Sequence, residues 1–589
     1  MSSNRIRAAA AKQMRPAKPM NLFMKSIATI TAIYRETSYP QFSPARTTFW
    51  FKVPPLGTIL LLVTYFGFIM ALEFIQNDNP GAQHHTAIAV RAAWLAVAQV
   101  PLLILLAGKN NLIGFITGVS YERLNVLHRW VARGMLLLAT IHFSSQSIGW
   151  DEYGLLKLEW ATDTCPPTGI AVYAILLWMN LTTFAPFRNF CYEFFVIQHL
   201  ITFFGFIIAI MMHIPSTALY ARVYIYIPIG LYFVDRLIRT SRFAYNNLPP
   251  GRATIEAMEG GVTKIRLRNK RIKKWAPGSF VLLSIPQFGP GQSHPATMAS
   301  IPTSHNNDLV FFLRSHKGFT NRMMKSATVS LVPDTKEGAT KRPAKYRAWI
   351  DGPYGGLHAD FAAFDTVVLI SGSTGVTFTL AQFLDIAHRA SSQKLPVRRV
   401  EFIWVIRNIS WTSWIEDELL SAFKDVKAAG IEVAIKIFVT CDEAFTNSSD
   451  GSKQGGCSCD KSLGPCCCTR IDDPGQADSI DQARIEDDLE GNRKTHSKVI
   501  SESSSPASGN AGNRRTLSCA TFQSGRPPLY LLLSDLANQA EGEMGVAVCG
   551  PMGLSTSIRR MIARISDERA VHKGTGAQGI CLHVESFCW

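Results

Sequence analysis

His128-Arg129-Trp130-Val131-Ala132-Arg133-Gly134-Met135-Leu136-Leu137-Leu138-Ala139-Thr140-Ile141-His142 and His199-Leu200-Ile201-Thr202-Phe203-Phe204-Gly205-Phe206-Ile207-Ile208-Ala209-Ile210-Met211-Met212-His213 share one design. Each has a histidine at both ends and a largely apolar stretch between. On an α-helix, the spacing turns about 1400°, about 40° short of four full turns, so the two histidines share a face. They stand about 21 Å apart along the axis, too far to ligate one metal ion together. Two such helices side by side would instead present two histidine pairs, His128 with His199 and His142 with His213. Haem iron accepts such bis-imidazole ligation. One histidine in an apolar run is more often a satisfied buried polar group. Two pairs with one spacing are better explained by function, because ionisable groups at membrane depth are rare and mostly functional.

Both stretches lie among six apolar runs, at about 53–75, 88–108, 124–146, 168–186, 191–214 and 221–238. Each approaches the roughly 20 residues a spanning helix needs. Residues 1–52 hold nine Lys/Arg against the single acid Glu36, and Arg236, Arg239, Arg242 and Arg252 follow the sixth run. Asp151, Glu152, Glu159 and Asp163 crowd the loop between the third and fourth runs, with only Lys157 opposing them. The positive-inside rule then puts both termini in the cytosol, and six crossings agree with that parity. Depth places the His128–His199 pair near the inner face and the His142–His213 pair near the outer one. The segment from Met20 to Ile33 is too short to span and reads as an amphipathic surface segment. No apolar core follows the first charges closely enough for a cleaved signal peptide.

The chain of 589 residues is 47% hydrophobic and 18% charged, where a soluble protein carries about a quarter charged residues. The net charge of +16 is what positive cytosolic loops produce in a membrane protein, so no nucleic-acid partner is expected. Of the 12 cysteines, those at 441, 457, 459, 466, 467, 468 and 519 fall in one polar stretch. Their spacing matches neither a disulfide framework nor a zinc pattern.

Beyond residue 248 the pattern changes. Ala253–Ala257, Thr263–Leu267, Phe280–Ile285, Leu309–Leu313 and Lys345–Ile350 alternate between turns and predict a small antiparallel barrel over 248–356. From 364 to 589, strands Thr366–Ile370, Glu401–Ile406, Ile431–Phe438 and Gly545–Val548 alternate with helical stretches, as in a doubly wound α/β nucleotide domain. Gly372-Ser373-Thr374-Gly375 after the first of these suits a pyrophosphate at a helix N-terminus. Residues 442–527 interrupt the sheet, and their low apolar content predicts a disordered, dispensable insert that leaves and re-enters at neighbouring points.

These residues together resemble the fungal ferric reductase family of transmembrane metalloreductases and, more distantly, the NADPH oxidases. The resemblance implies a six-helix haem bundle over 53–240, behind the basic segment 1–52. A cytosolic ferredoxin-reductase-like module would follow, with FAD on the barrel and NADPH on the α/β domain. It makes His128, His142, His199 and His213 the ligands of two haem b groups. His294-Pro295-Ala296-Thr297-Met298-Ala299-Ser300 resembles the flavin motif, with Ala296 where Phe is usual; His294 and Thr297 would face the flavin ring. Lys317-Gly318-Phe319-Thr320 resembles the segment that meets the FAD pyrophosphate, and Asp351-Gly352-Pro353-Tyr354-Gly355 the barrel's closing turn. Gly372-Ser373-Thr374-Gly375-Val376-Thr377 resembles the nicotinamide-nucleotide turn, with Ser373 for the second Gly and Phe378 for a following Pro. Cys549-Gly550-Pro551 resembles the motif that sets a Cys beside the nicotinamide. Phe587 and Trp589 resemble the aromatic C-terminus that covers the flavin, Trp589 acting as a gate.

The resemblance implies electron flow from NADPH to FAD, to the inner haem, to the outer haem and on to an external acceptor. Ferric chelates, siderophores or Cu(II) are the expected acceptors, supplying an iron or copper uptake system at the plasma membrane. His84, His85, Asp151, Glu152, Glu159 and Asp163 are candidate acceptor groups on the outer face. Arg407, after strand Glu401–Ile406, is the expected partner of the NADPH 2′-phosphate. A superoxide-forming oxidase fits less well, because the second pair here has the same spacing as the first and the chain ends in Trp. A six-span channel with a nucleotide domain leaves the paired histidines unexplained.

Overall fold

The computed structural model describes residues 2–11, 22–42, 53–77, 80, 82–329, 344–356, 359–442, 445, 517–569 and 579–585. The chain forms two compact units, one of residues 46–245 and one joining 1–45 to 246–589. Two helices, α1 (Ser2–Ala10) and α2 (Leu22–Ser38), open the chain and belong with its C-terminal part.

The 46–245 unit is a helix bundle. Its members are α3 (Leu56–Phe74), α4 (Ala82–Ala107), α5 (Leu112–Thr117), α6 (Tyr121–Glu152), α7 (Leu156–Thr162), α8 (Cys165–Thr182), α9 (Ala185–Phe190), α10 (Tyr192–His213) and α11 (Val223–Asn247). Among the described residues five helices are long and apolar enough to cross a membrane: Leu56–Phe74, Gln83–Ala107, Cys165–Thr182, Tyr192–His213 and Ser216–Asn247. Five of the six expected runs are therefore met by that measure. The remaining run, the third (124–146), lies in α6, a single 32-residue helix, about 48 Å long at ~1.5 Å per residue. It includes Arg129, Arg133 and the polar turn after His142, and so falls short in apolar character rather than in length. Leu138, Met135, Ile69, Val100, Leu176, Phe206 and Ile210 form the bundle's buried core. Leucines, phenylalanines and tyrosines left exposed on α3, α10 and α11 suit a lipid surround.

The other unit contains two six-stranded sheets. The first is antiparallel, with β1 (Gly251–Met258), β2 (Val262–Arg268), β3 (Phe280–Ser284), β4 (His294–Thr297), β5 (Leu309–Arg314) and β6 (Lys345–Tyr354) in the order β4-β3-β6-β1-β2-β5. The outer strands meet where Ala299 N–H donates to the Val310 carbonyl at 2.8 Å, closing the barrel. Helix α12 (Phe319–Val329) plugs one end with Phe319, Met323 and Ala327. The strand pattern foretold five of these strands; β4 is too short to alternate visibly.

The second sheet holds β7 (Thr366–Gly372), β8 (Arg399–Ile406), β9 (Glu432–Val439), β10 (Ala520–Ser524), β11 (Met544–Cys549) and β12 (Ile580–Glu585). Its order is β10-β9-β8-β7-β11-β12, all parallel. Helices α13 (Val376–Ser392), α14 (Glu416–Ala428), α15 (Leu529–Gln539) and α16 (Met552–Arg569) flank it. Strand β10 falls inside the 442–527 stretch read as an insert. Because β10 runs parallel to β9, with Ala520 opposite Ile435 and Ser524 opposite Val439, the stretch is a crossover between the two strands. Its ends stay neighbours, since the Gly525 N–H donates to the Val439 carbonyl at 2.9 Å, but the stretch contributes an edge strand to the sheet and is not wholly an insert. Most of its cysteines, at 457, 459, 466, 467 and 468, lie outside the described residues.

The N-terminal segment is also more than a surface tail. Arg5 and Arg35 both pair with Glu543, at the entry to β11. The Tyr39 hydroxyl accepts the Leu582 N–H of edge strand β12 at 3.0 Å. Burial, aided by neighbouring negative groups, pushes the Tyr39 phenol above its ordinary range.

Candidate electron-transfer site

Helix α6 carries His128 and His142, and α10 carries His199 and His213. The rings of His142 and His213 meet edge-on, with centroids 6.1 Å and planes 68° apart. Two imidazole nitrogens each about 2 Å from one metal ion set the ring centroids about 6 Å apart, so the gap fits an iron. His142 Nδ1 lies 2.9 Å from the Ala89 carbonyl, and His213 Nδ1 lies 3.0 Å from that of Cys165. His128 Nδ1 lies 2.9 Å from the Leu103 carbonyl. A carbonyl only accepts, so in each ring Nδ1 carries the proton and Nε2 keeps its lone pair for a metal. Gly169 gives His213 its room, since a Cβ there would come within 2.7 Å of the ring.

The inner pair is built differently. His199 Nδ1 is buried without a hydrogen-bond partner, and its ring leans on Phe195 at 5.5 Å. His128 is within electrostatic reach of it. Beside His128, Arg129 buries an unpartnered Nε, a donor suited to a haem propionate. Arg133 instead stacks over Trp130, 4.6 Å from its centroid. Orphaned donors at one pair and an iron-sized gap at the other both fit haem.

In the barrel, His294 stacks on Phe319 at 4.3 Å, with Pro295 opposite Leu282 and Thr297 opposite Phe280. The Ser300 hydroxyl is occupied within the barrel, donating to the Asp308 carbonyl at 3.0 Å and accepting the Val310 N–H at 3.1 Å. Gly318 takes φ 77° with open space where a Cβ would be. Thr320 Oγ1 accepts the His316 N–H at 2.8 Å. Gly352 and Gly355 flank Pro353 at φ 139° and 71°.

The nucleotide turn lies where β7 and β11 end side by side, the point at which strand order reverses and such sheets bind ligands. A Cβ on Gly375 would come within 2.2 Å of the Cys549 carbonyl, and one on Gly550 within 3.1 Å of Gly372 N. A Cβ on Gly372 would come within 3.0 Å of the Pro551 ring. The two motifs, far apart in sequence, thus form one structure. Thr377 Oγ1 donates to the Thr374 carbonyl at 3.0 Å. Ser373 adopts φ 51°, and its carbonyl accepts the Trp404 indole N–H at 3.0 Å. Phe378, replacing the usual Pro, is fully buried and stacks on His583 at 5.4 Å. Gly278 makes its space, as a Cβ there would come 2.5 Å from the Phe378 ring. Arg407 follows β8 on the same edge, and its carbonyl accepts the Cys441 N–H at 3.0 Å. Cys549 is buried. Phe587 and Trp589 lie outside the described residues.

A joint between the sheets escaped the sequence. Glu418 Oε1 of α14 accepts from His305 at 3.0 Å and from Lys264 of β2 at 3.2 Å. Burial alone would raise its pKa, but the His305 hydrogen bond and the Lys264 charge hold it below the usual value. Of the expected acceptor groups, His85 pairs with Glu152 at 3.6 Å, and Asp163 Oδ1 accepts the Cys165 N–H. Among the described residues no cluster of three or more His, Cys, Asp or Glu could hold a metal ion.

The fold and the site together define a membrane helix bundle joined in one chain to a flavin–nicotinamide nucleotide reductase module. Comparison with known proteins agrees. Residues 92–210 match the ferric reductase like transmembrane component, 250–358 an FAD-binding domain and 364–563 the ferric reductase NAD binding domain. The chain thus carries, in this order, a ferric reductase like transmembrane component, an FAD-binding domain and a ferric reductase NAD binding domain. It is 27% identical to a probable cell surface ferric reductase (kap2) of Aspergillus oryzae, covering 61% of this chain and 48% of that one. It is 24% identical to ferric/cupric reductase transmembrane component 7 of Saccharomyces cerevisiae, covering 73% and 68%. A probable ferric reductase transmembrane component of Candida albicans is 24% identical, covering 92% and 73%. The chain thus spans about half the length of the first of these relatives. A solved ferredoxin reductase of carbazole 1,9a-dioxygenase overlaps 58% of this chain and 69% of its own, at 13% identity and a TM-score of 0.31.

Proposed function

We propose that this protein carries electrons from NADPH across a membrane to ferric or cupric ions. The supporting observation is the 6.1 Å separation of the His142 and His213 rings, each with Nε2 free, in a chain that also has FAD- and NAD-binding domains. When bound, FAD and two haem b groups supply the redox chemistry, turning a two-electron donor into one-electron steps. The chain's own residues position and insulate. Gly318 and the α12 N-terminus leave room for the flavin's phosphates, and the Gly372–Gly375 turn does the same for NADPH. Cys549 closes the crevice where nicotinamide would lie, and Arg407 offers a fork to the 2′-phosphate. By the resemblance, Phe587 and Trp589 would cover the flavin and give way to nicotinamide. His142 and His213, both anchored to carbonyls, would hold one iron, and carbonyl-anchored His128 with His199 the other.

In this reading the protein is in the plasma membrane with both termini cytosolic. It delivers reduced metal from ferric chelates, siderophores or Cu(II) to an uptake system, and His84, His85, Asp151, Glu152, Glu159 and Asp163 meet the acceptor. Membranes containing the protein should reduce Fe(III) with NADPH faster than with NADH, with superoxide a minor product. Superoxide as the main product would make it an oxidase instead, and equal use of both nucleotides would remove the role of Arg407.

A further inference from the structure

In the unit that holds both sheets, the exposed large apolar side chains concentrate in one place. Leu22 is 82% exposed, Phe23 73%, Ile30 67%, Tyr34 67% and Phe42 60%, with Ile33 at 41%. At ~100° per residue, Leu22, Phe23, Ile30, Ile33 and Tyr34 fall within an arc of about 120° on α2. The opposite side of α2 is occupied. Ala32 is buried, with a Cβ on Gly579 placed 3.4 Å from its own, and Arg35 pairs with Glu543. Just beyond the helix Tyr39 holds β12, and the Gln41 carbonyl accepts Arg560 Nε at 3.2 Å. So α2 has two working faces, and the fold of the nucleotide domain uses only one.

We propose that the free face of α2 lies in the headgroup layer of the membrane leaflet on the side where the N-terminus resides. Amphipathic helices with aromatic and aliphatic side chains on one face and basic residues nearby bind in that layer. Phe23 and Tyr34 are side-chain types that favour the interface. Lys25 is exposed on the rim, and Lys12, Arg15 and Lys18 come just before the helix. Such charges attract anionic lipid within a Debye length. The first span begins at Leu56, so the chain enters the membrane soon after α2 ends at Ser38. A second copy is the weaker occupant, because one face of a single helix falls short of the roughly 800 Å² per partner of a standard interface. Through Arg35, Tyr39 and Gln41, the lipid-bound helix anchors the nucleotide domain to the bilayer surface.

The test is photo-crosslinking of the full chain, holding its cofactors, in nanodiscs. Benzoylphenylalanine is placed at position 23, 30 or 34, with position 531, an exposed leucine of α15, as the control. All four sites are exposed. Lipid adducts at 23, 30 and 34 and their absence at 531 are expected, with a higher yield when phosphatidylserine replaces neutral lipid. Adducts to a second chain or to other residues of the same chain at these sites would overturn the proposal, as would equal lipid labelling at 531. Yields indifferent to phosphatidylserine would remove the basic residues from it.

Discussion

The helix bundle and the two-sheet module build their sites by opposite means. In the bundle, four histidine side chains would carry the proposed site, and the backbone orients three of them, His142, His128 and His213, through the carbonyls of Ala89, Leu103 and Cys165. In the module, the backbone would form the site: a Cβ on Gly375 would collide with the Cys549 carbonyl, and at Gly372 and Gly550 a Cβ would be tight. A side-chain site should therefore fail when one group is removed. A backbone site should fail when one is added. His142→Ala or His213→Ala should abolish one low-spin haem and stop electron delivery to an external acceptor, while NADPH-dependent flavin reduction survives. A reduced-minus-oxidised spectrum of membranes measures this. Two haems retained in both variants would break the comparison at its strongest point.

The complementary experiment adds an atom to the module. Gly375→Ala puts a methyl 2.2 Å from the Cys549 carbonyl oxygen. The strand ends must separate, at a cost of about 3 kcal/mol or more, in the range of severe overpacking. NADPH oxidation should be lost, whereas the haem spectrum should match wild type. A Gly375→Ala variant that binds NADPH normally would show that the turn is looser than its packing.

The edge of the nucleotide sheet gives a third, intermediate effect. Deleting 446–516 leaves Cys441–Phe445 and Leu517–Cys519 to connect two parallel strands, whereas such crossovers take a dozen or more residues. β10 should detach, exposing β9 and lowering stability. Replacing 446–516 with a flexible linker of about 15 residues should restore both stability and NADPH oxidation. Thermal unfolding of the two variants distinguishes them.

These regions also differ in how far the sequence discloses them. The histidine ladder is legible because a fixed spacing on a helix is a statement about space. Strands β7, β8, β9 and β11 are legible because a buried parallel sheet needs continuous apolar runs. Strands β10 and β12 are not: β10 lies beyond a long polar stretch, and in β12 Cys581 and His583 interrupt the apolar run. The docking of α1 and α2 is equally hidden, since Glu543 recruits Arg5 and Arg35 across nearly the whole chain. Nothing local in a basic N-terminal segment marks the acid that will meet it. Phe378 reads as a defect in the nucleotide motif until Gly278, on another domain, is seen to make space for it.

The joint at Glu418 lets pH sharpen the comparison within the module. Its carboxylate is held below the ordinary value, so the folded state binds its proton less readily than the unfolded chain does. Stability from this group is present above the unfolded carboxylate range, about 4.3, and is lost as pH falls through the lower folded value. Glu418→Gln keeps the shape but loses the charge, and should cost about 1–2 kcal/mol at neutral pH. Its stability should decline less than wild type between about pH 5 and pH 3. Equal acid sensitivity in denaturant melts at the two pH values would exclude Glu418 from the joint.

The smallest effect should come from Ser373, the one nucleotide-turn position where this chain has a side chain in place of the family's second glycine. Its φ of 51° costs an L-residue roughly 1–2 kcal/mol. Its Oγ is buried without a hydrogen-bond partner, a further penalty of about 1 kcal/mol or more. Ser373→Gly removes both terms and keeps the carbonyl that accepts from Trp404. Against this, glycine gives the unfolded chain more freedom, worth about 0.4–1 kcal/mol in the other direction. The balance favours the variant by about 1 kcal/mol, or a rise in Tm of about 2–4 °C for a domain of this size. Ser373→Ala separates the terms, because it removes the hydroxyl and retains the strain. It should gain less than the glycine variant, in calorimetry of the full chain without nucleotide. If Ser373→Gly were the less stable of the two, the turn's strain would not be where the backbone angle puts it, and the module's site would depend on a side chain after all.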